Sequence, residues 1–318
     1  MRVSAIVCTH SLDNYQNLMD AVDSLLNQTH RELEIIIVVD GKEELYKKIA
    51  NVYDAEEKIK VLAIKENIGV SGARNTGIRA ARGDLIAFMD DDAIAEERWV
   101  ENLVDAYQKL DAIAVGGRIL PTWLSKQPDY FPEELGWLVG VIHEGFAEEK
   151  VVEVRNTFGS NMSFKREVFE KIGLFREKLG FAKRGTSYLQ GEEAEFTLRM
   201  KSKLGKGVIY NPEAVVYHKI PASKTEPRTL LRRAFYQGYS KALLKRLNLS
   251  SEALTTERSY LNDLLFKYIP RRIKRILSAS NSVMELKKLS VLTASIFSVG
   301  LGFVYGYTKE YIAGWKRR

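Results

Sequence analysis

The segment LIAFMDDDA, residues 85–93, narrows what this chain can fold into more than any other, because an apolar run ends there in three consecutive carboxylates, Asp90, Asp91 and Asp92. A short apolar run bounded in this way reads as a buried strand, and three like charges at its end are costly unless a cation or a hydrogen-bonded ligand compensates them. In an open α/β sheet, ligands gather at the carboxyl ends of the strands. The segment therefore predicts such a sheet, with room at its edge for a hard divalent cation beside an anionic ligand. A solvated turn or a helix start is the competing reading of an acidic triplet, so the surrounding pattern has to decide.

Through the first half of the chain, short β-branched runs alternate with helical periodicity, the signature of a mostly parallel sheet flanked by helices. Strands are expected at residues 3–9, 34–40, 60–64 and 84–89. Residues 14–27 place Leu18, Val22, Leu25 and Leu26 at helical spacing, and residues 69–81 read as a second helix. Strands that end in Thr9, Asp40 and Asp90 aim polar groups at one edge, which is the expected nucleotide site. An aromatic, proline-bearing loop occupies residues 121–137, and the segment NTFGSNMSFKREVFEKIG follows it. In GEEAEFTLRM, Glu192 and Glu193 fall at a helix start, where the macrodipole favours carboxylates and accounts for them without a function. VIYNPEAVVYHK reads as one more strand pair.

The charge is divided unevenly. Residues 228–318 carry 18 Lys/Arg against 5 Asp/Glu, a net of +13, whereas residues 1–227 carry 30 against 36, a net of −6. A basic tail on an acidic body suggests anionic membrane or nucleic acid as a partner. Cys8 is the single cysteine and lies in an apolar run, so no internal disulfide is possible and a reducing compartment fits. The opening VSAIVCT has no charged n-region or cleavage site before it, and secretion by a signal peptide is not expected. Residues 289–307, LSVLTASIFSVGLGFVYGY, are uncharged and just long enough to cross a bilayer, although their Gly, Ser and Thr suit close helix packing better than a lone span.

The opening strand, VVDG, NIGVSGARNTGIRAARGD, FMDDDA, GSNMSF, GEEAEFTLR and VYHK occur in one order over roughly residues 1–220. This ordered set resembles the family 2 glycosyltransferases, which have the GT-A nucleotide-diphospho-sugar transferase fold, Rossmann-like and α/β. The resemblance implies that Asp40 contacts the base or ribose of a nucleotide. It further implies that Asn67, Gly69, Gly72, Arg74 and Asn75 form the glycine-rich helix start beside the phosphates, with Arg74 pairing phosphate oxygens. The family's Asp-x-Asp motif falls on Asp90 and Asp92, with Asp92 the direct ligand of Mn²⁺ or Mg²⁺ and Asp91 solvated or helix-capping. Its general base falls on Glu193, one methylene longer than the usual aspartate, which leaves Glu192 as the alternative. His218 joins the metal or the diphosphate, and Asn161, Arg184 and Gln190 line the sugar and acceptor pocket.

A GT-A catalytic domain is accordingly expected over residues 1–225, with its nucleotide-binding part at about 1–117 and its acceptor part at about 118–225. Residues 226–318 form a basic, mainly helical, membrane-associating region. Basic clusters, aromatics and the apolar stretch together are the pattern of a membrane interface. Relatives with such tails act at the cytoplasmic membrane face on lipid-linked acceptors of the dolichyl phosphate type. A lipid phosphate is already an anion and needs little deprotonation, so a retained carboxylate base favours a sugar hydroxyl on a lipid-linked saccharide as the acceptor. The expected activity is inverting, metal-dependent transfer from a nucleotide diphospho-sugar, UDP in the first instance. Three readings compete with it. Direct transfer to a polyprenyl phosphate is one. A nucleotidyltransferase is another, disfavoured because THSLDN follows the first strand where a basic glycine-rich loop would be needed. The last is a non-catalytic nucleic-acid or membrane-binding protein, and no zinc-ligand spacing or RNA-recognition pattern supports a nucleic-acid partner. The sequence leaves the oligomeric state open.

Overall fold

A computed structural model describes residues 1–147, 150–177, 179–180, 189–247, 255–278 and 282–315. Arg184 and the terminal Lys316, Arg317 and Arg318 lie outside the described residues. The chain divides into two compact units, one of Met1–Thr122, Ala147–Tyr188 and Glu192–Lys219, the other of Trp123–Phe146, Leu189–Gly191 and Ile220–Arg318.

The first unit is built on a twisted sheet. Its elements are β1 (Val3–Thr9), α1 (Tyr15–Leu26), β2 (Leu33–Asp40), α2 (Glu43–Tyr53), β3 (Ile59–Ile64), α3 (Val70–Ala80) and β4 (Leu85–Asp90). There follow β5 (Ala93–Ala95), α4 (Trp99–Lys109), β6 (Ala114–Trp123), β7 (Val152–Val154), β8 (Met162–Lys165), α5 (Arg166–Ile172), α6 (Glu192–Leu204) and β9 (Val208–Ile220). The sheet order is β3-β2-β1-β4-β8-β6-β9-β5, and β7 pairs with β9. Pairing is parallel across β3, β2, β1 and β4, then antiparallel from β4 to β8 and from β8 to β6.

Two-residue periodicity explains why the central strands are apolar throughout. Val3, Ala5 and Val7 of β1, Ile35, Ile37 and Val39 of β2, and Ala87 and Met89 of β4 face one core layer. Ile6, Ile36, Val38, Ile86 and Phe88 face the other, where Phe88, Phe164, Phe169, Phe175 and Phe196 pack mainly edge to face. Strands covered on both faces have no polar side to show. Residues 208–219 form one long strand instead of the expected pair. The Asn-Pro step at Asn211 and Pro212 reads as a turn in sequence, yet β9 passes straight through, pairing with β7 before it and β5 after it.

Asn161 ties three elements of this unit together. Trp99 Nε1–H donates to its Oδ1 at 2.9 Å, and its Nδ2 donates to the carbonyls of Arg118 at 2.9 Å and Ala214 at 2.8 Å. The neighbouring Gly117 of β6 lies so close to β9 that a Cβ there would sit 1.9 Å from the Ala214 carbonyl oxygen.

The second unit contains α7 (Ala222–Thr225), α8 (Pro227–Arg246), α9 (Thr255–Asp263), a π-turn at Leu264–Tyr268, α10 (Ile269–Ser278) and α11 (Ser282–Trp315). Contacts between α8 and α11 advance together along both helices: Ser298 Oγ donates to the Leu231 carbonyl at 2.8 Å, and Gly302 and Gly306 lie against Phe235 and Tyr239. The two helices therefore run parallel. A Cβ on Gly238 would meet the Val299 carbonyl oxygen at 1.9 Å and one on Gly302 the Phe235 carbonyl oxygen at 1.8 Å, so only glycine permits this approach. Ser282–Lys309 of α11 is the one helical stretch among the described residues long and apolar enough to cross a membrane. It is half of a helix pair and not a lone span. Its partner α8 carries Arg228, Arg232, Arg233, Lys241, Lys245 and Arg246, which hydrocarbon would penalise heavily.

The loop at residues 123–146, read from sequence as part of the acceptor half, belongs to this second unit. Arg272, 1% exposed, bonds Glu133 and Glu285 at 2.8 Å and reaches the fully buried Glu134. The Tyr260 hydroxyl donates to the Glu134 carbonyl at 2.6 Å. Removing one partner of a buried ion pair costs about 3–5 kcal/mol, so this cluster is a firm anchor for the loop.

Because the atom facing Gly117 is backbone, no side chain can swing aside to admit a methyl group. Gly117→Ala is expected to destabilise the protein by about 1–3 kcal/mol or more, read as a lower urea midpoint with an unchanged slope.

Candidate active site

The end of β4, the turn after it and the end of β9 converge at one point. β1 holds Asp90 in register opposite Cys8. Asp91 and Asp92 form the turn into β5, and pairing of β5 with β9 sets Ala93 opposite His218. The Lys219 amide closes the turn by donating to the Asp92 carbonyl at 2.8 Å. His218 Nε2 lies 3.1 Å from Asp92 Oδ1, and one ligand atom from each of Asp90, Asp92 and His218 falls within 4.8 Å of the others. Two carboxylates and an imidazole at this spacing fit a divalent cation.

Arg74 enters the same place from α3. Its guanidinium, 4% exposed, lies 3.6 Å from Asp90, 3.1 Å from Glu192 and 3.4 Å from Glu193. Burial alone would push its proton off, but the carboxylates of Glu193, Glu192 and Asp90 outweigh that and hold it protonated. The two glutamates at the start of α6 differ in access. The Glu192 side chain is 4% exposed and that of Glu193 18%. Burial first, and then the neighbouring Glu193, push the Glu192 carboxyl from 4.5 up to about 8. Burial and the adjacent Asp92 likewise push Asp91 up to about 7. Burial raises the Asp90 carboxyl as well, with Arg74 opposing.

Several residues expected at the nucleotide also build the local fold. Both carboxylate oxygens of Asp40 accept backbone amides at the start of α3, Ile68 at 2.8 Å and Gly69 at 2.9 Å, capping that helix. Gly69 has φ +87°, a left-handed conformation that favours glycine, and Gly72 packs flush on Ile68. Asn67 donates to the Asp40 carbonyl at 3.4 Å. Asn75 is buried, donating to the Phe175 carbonyl at 2.9 Å and accepting its amide at 3.0 Å. Arg74, expected beside the phosphates, meets the carboxylates of Asp90, Glu192 and Glu193. Asp91 is buried beside Asn14 at 3.4 Å, neither solvated nor capping a helix. Thr9 is buried at the end of β1. Asn161, expected to line a sugar pocket, is fully buried with its amide engaged by Trp99, Arg118 and Ala214. Gln190 belongs to the second unit, where its amide donates to Ser240 Oγ at 2.8 Å and its side chain bonds Gln237. Arg184 lies outside the described residues.

Sequence reasoning passed over two contributors. Gly159 opens the GSNMSF motif, and a Cβ there would sit 2.0 Å from an Arg74 nitrogen and 2.8 Å from Glu193 Oε1, so its backbone forms a wall against that pair. The glycine was visible in the motif, but its partners were not. Asn14, by contrast, carries no signal that links it to Asp91.

The raised Glu192 value has a thermodynamic consequence. Above pH 4.5 the unfolded chain has released a proton that the folded chain keeps until about pH 8, so stability falls as pH rises across that window and levels off above it. In metal-free protein, Glu192→Gln is expected to flatten this slope by up to one proton, with Asp91 maintaining the remainder below about pH 7. Urea midpoints at pH 5, 7 and 9 measure it.

Comparison with known proteins follows the same lines. The glycosyl transferase family 2 matches residues 4–173. A glucosyl-dolichyl phosphate glucuronosyltransferase of Haloferax volcanii is 39% identical over 307 residues, 96% of each chain. An uncharacterized glycosyltransferase of Haemophilus influenzae is 28% identical over 229 residues, 70% of this chain and 67% of that one. Among solved structures, the mannosyltransferase PcManGT from Pyrobaculum calidifontis, in complex with GDP-Man and Mn²⁺, gives a TM-score of 0.63 at 18% identity over 96% of this chain and 86% of that chain. GalNAc-T7 with UDP, GalNAc and Mn²⁺ gives 0.57 at 18% identity, over 83% of this chain and 54% of that one. The fold thus has its counterparts among sugar transferases, and this chain belongs to glycosyl transferase family 2.

Proposed function

We propose that the chain is an inverting transferase that moves a hexosyl or hexuronosyl group from a uridine diphospho-sugar to a hydroxyl of a lipid-linked saccharide of the glucosyl-dolichyl phosphate type. The observation that carries this reading is the position of Glu193, the more accessible glutamate of its pair, held by Arg74 in one cluster with Asp90. Relatedness to the Haloferax volcanii enzyme over 96% of both chains supports the acceptor, since that enzyme's name describes addition to a lipid-borne sugar.

In this reading Asp90, Asp92 and His218 would hold Mn²⁺ or Mg²⁺, which would supply positive charge to a diphosphate leaving group. Glu193 takes the proton of the acceptor hydroxyl. The freed oxygen attacks the anomeric carbon from the side opposite the diphosphate, and the bond to the diphosphate breaks as the new glycosidic bond forms. Arg74 restrains Glu193 and balances the negative charge around it. Glu192, kept protonated by burial up to about pH 8, adds no further charge and is a poor base at neutral pH. A bare lipid phosphate would need no such base.

The +13 excess of residues 228–318 supports a location at the cytoplasmic face of the cell membrane, where anionic lipids attract basic segments.

The decisive assay offers UDP-glucuronic acid or other UDP-sugars with Mn²⁺ or Mg²⁺ to glucosyl-dolichyl phosphate and, separately, to dolichyl phosphate. Transfer to the saccharide alone is expected, and equal transfer to the bare phosphate would overturn the acceptor assignment. Asp92→Ala is expected to abolish metal-dependent donor binding while leaving the thermal midpoint within a few degrees of the parent, as titration of UDP by calorimetry with and without metal would register. Glu193→Gln is expected to retain donor binding and to lower turnover by about 10²–10⁴-fold. The same loss in Glu192→Gln, with Glu193→Gln active, would transfer the role to Glu192.

A further inference from the structure

Thr255 to Ser278 form one unbroken rod in which α9, the π-turn and α10 follow directly on one another. Leu264, Tyr268 and Arg272, four residues apart, are buried along its inner side and fix its orientation. Leu261, Leu265, Phe266, Ile273 and Leu277 are exposed along its outer side, Phe266 to 79% and Leu277 to 83%. A four-residue spacing drifts by about 40° per step in a regular α-helix. The wider π-turn takes back part of that drift, so the apolar residues before and after it share a face. Pro270 accounts for the turn, since its ring cannot sit against the Phe266 carbonyl in regular α-geometry.

Lys267 and Lys274 are exposed beside this stripe, and Arg275, also exposed, lies 3.9 Å from Glu285. Of the two acidic residues on the rod, Glu257 is paired with Lys241, which leaves Asp263. α11 carries a second exposed row, Phe297, Leu301 and Val304, within a stretch that is uncharged from residue 289 to residue 308. Large apolar side chains in continuous rows need a partner. A second copy of this surface would bring the same basic rim against itself, whereas anionic headgroups complement it.

We propose that the rod Thr255–Ser278 lies flat on an anionic phospholipid bilayer, its leucine, isoleucine and phenylalanine stripe among the acyl chains and Lys267 and Lys274 on the headgroup phosphates. The exposed row of α11 enters the same layer. This deepens the membrane assignment above and rests on its lipid-borne acceptor only for its biological purpose. The stripe is a surface that ordering of the first turn of α10 around Pro270 creates, and it is separate from the apolar stretch that sequence alone reveals.

The test uses the full chain, purified in mild detergent, and flotation with vesicles of phosphatidylcholine alone or with added phosphatidylglycerol. Preferential, salt-sensitive binding to the anionic vesicles is expected. Leu265→Asp with Phe266→Asp should lower that partitioning at least tenfold, and Lys267→Gln with Lys274→Gln should remove most of its dependence on phosphatidylglycerol. The altered side chains are exposed, so circular dichroism and the thermal midpoint should match the parent. Wild-type binding by the Asp variant, equal binding to both vesicle types, or a lipid-free oligomer by light scattering that the Asp variant dissociates would each overturn the proposal. Donor binding by metal-dependent UDP titration is measured on the same samples. Its retention with lost flotation separates this surface from the catalytic reading, and its absence in the parent chain would sink that reading while leaving the vesicle result standing.

Discussion

One buried cation among carboxylates governs the first unit. Arg74 meets Asp90, Glu192 and Glu193 while almost fully removed from water, and three carboxylates in such surroundings would otherwise repel one another. Its presence lets a parallel strand end in acid and lets α6 begin with a glutamate pair in the same neighbourhood. Protonation completes the balance, since burial keeps Glu192 and Asp91 neutral well above the usual carboxylate range. The site is thus assembled by compensation, with one arginine and two retained protons offsetting a charge that the backbone alone could not hold.

The sequence made the scaffold legible because strand periodicity and strand ends are local properties. The four parallel strands lie within a residue or two of their expected positions, and the acidic turn is where the apolar run stops. Pairing between distant segments was harder to foresee. Nothing about Asp40 announces that two amides of the following helix start will occupy its carboxylate, and nothing about Asn161 announces Trp99. Asn211 and Pro212 misled for a physical reason. A proline stops a strand only where its missing N–H is needed, and β9 changes partners along its length. The grouping of Asp90, Asp92 and His218 was legible through the ordered motifs. The convergence of Arg74 on carboxylates required the fold.

The second unit solves a different problem with similar means. Arg272 is buried with Glu133, Glu134 and Glu285, so helices and loop from distant parts of the chain are joined by charge. Alongside it, α8 and α11 are joined by the absence of side chains, with glycine at the crossings.

The pairing of Ala93 with His218 has an implication for how such a chain can vary over time. Side chains alternate faces along a strand, so gaining or losing one residue in β9 before His218 would turn the imidazole away from Asp92 while burying what had been outside. Changing the length by two would restore the face but slide the ring about 6.8 Å along the sheet. Neither slip keeps the imidazole beside the carboxylate turn. The spacing from Asn211 to His218 is therefore a ruler, and substitutions can accumulate along it far more freely than insertions.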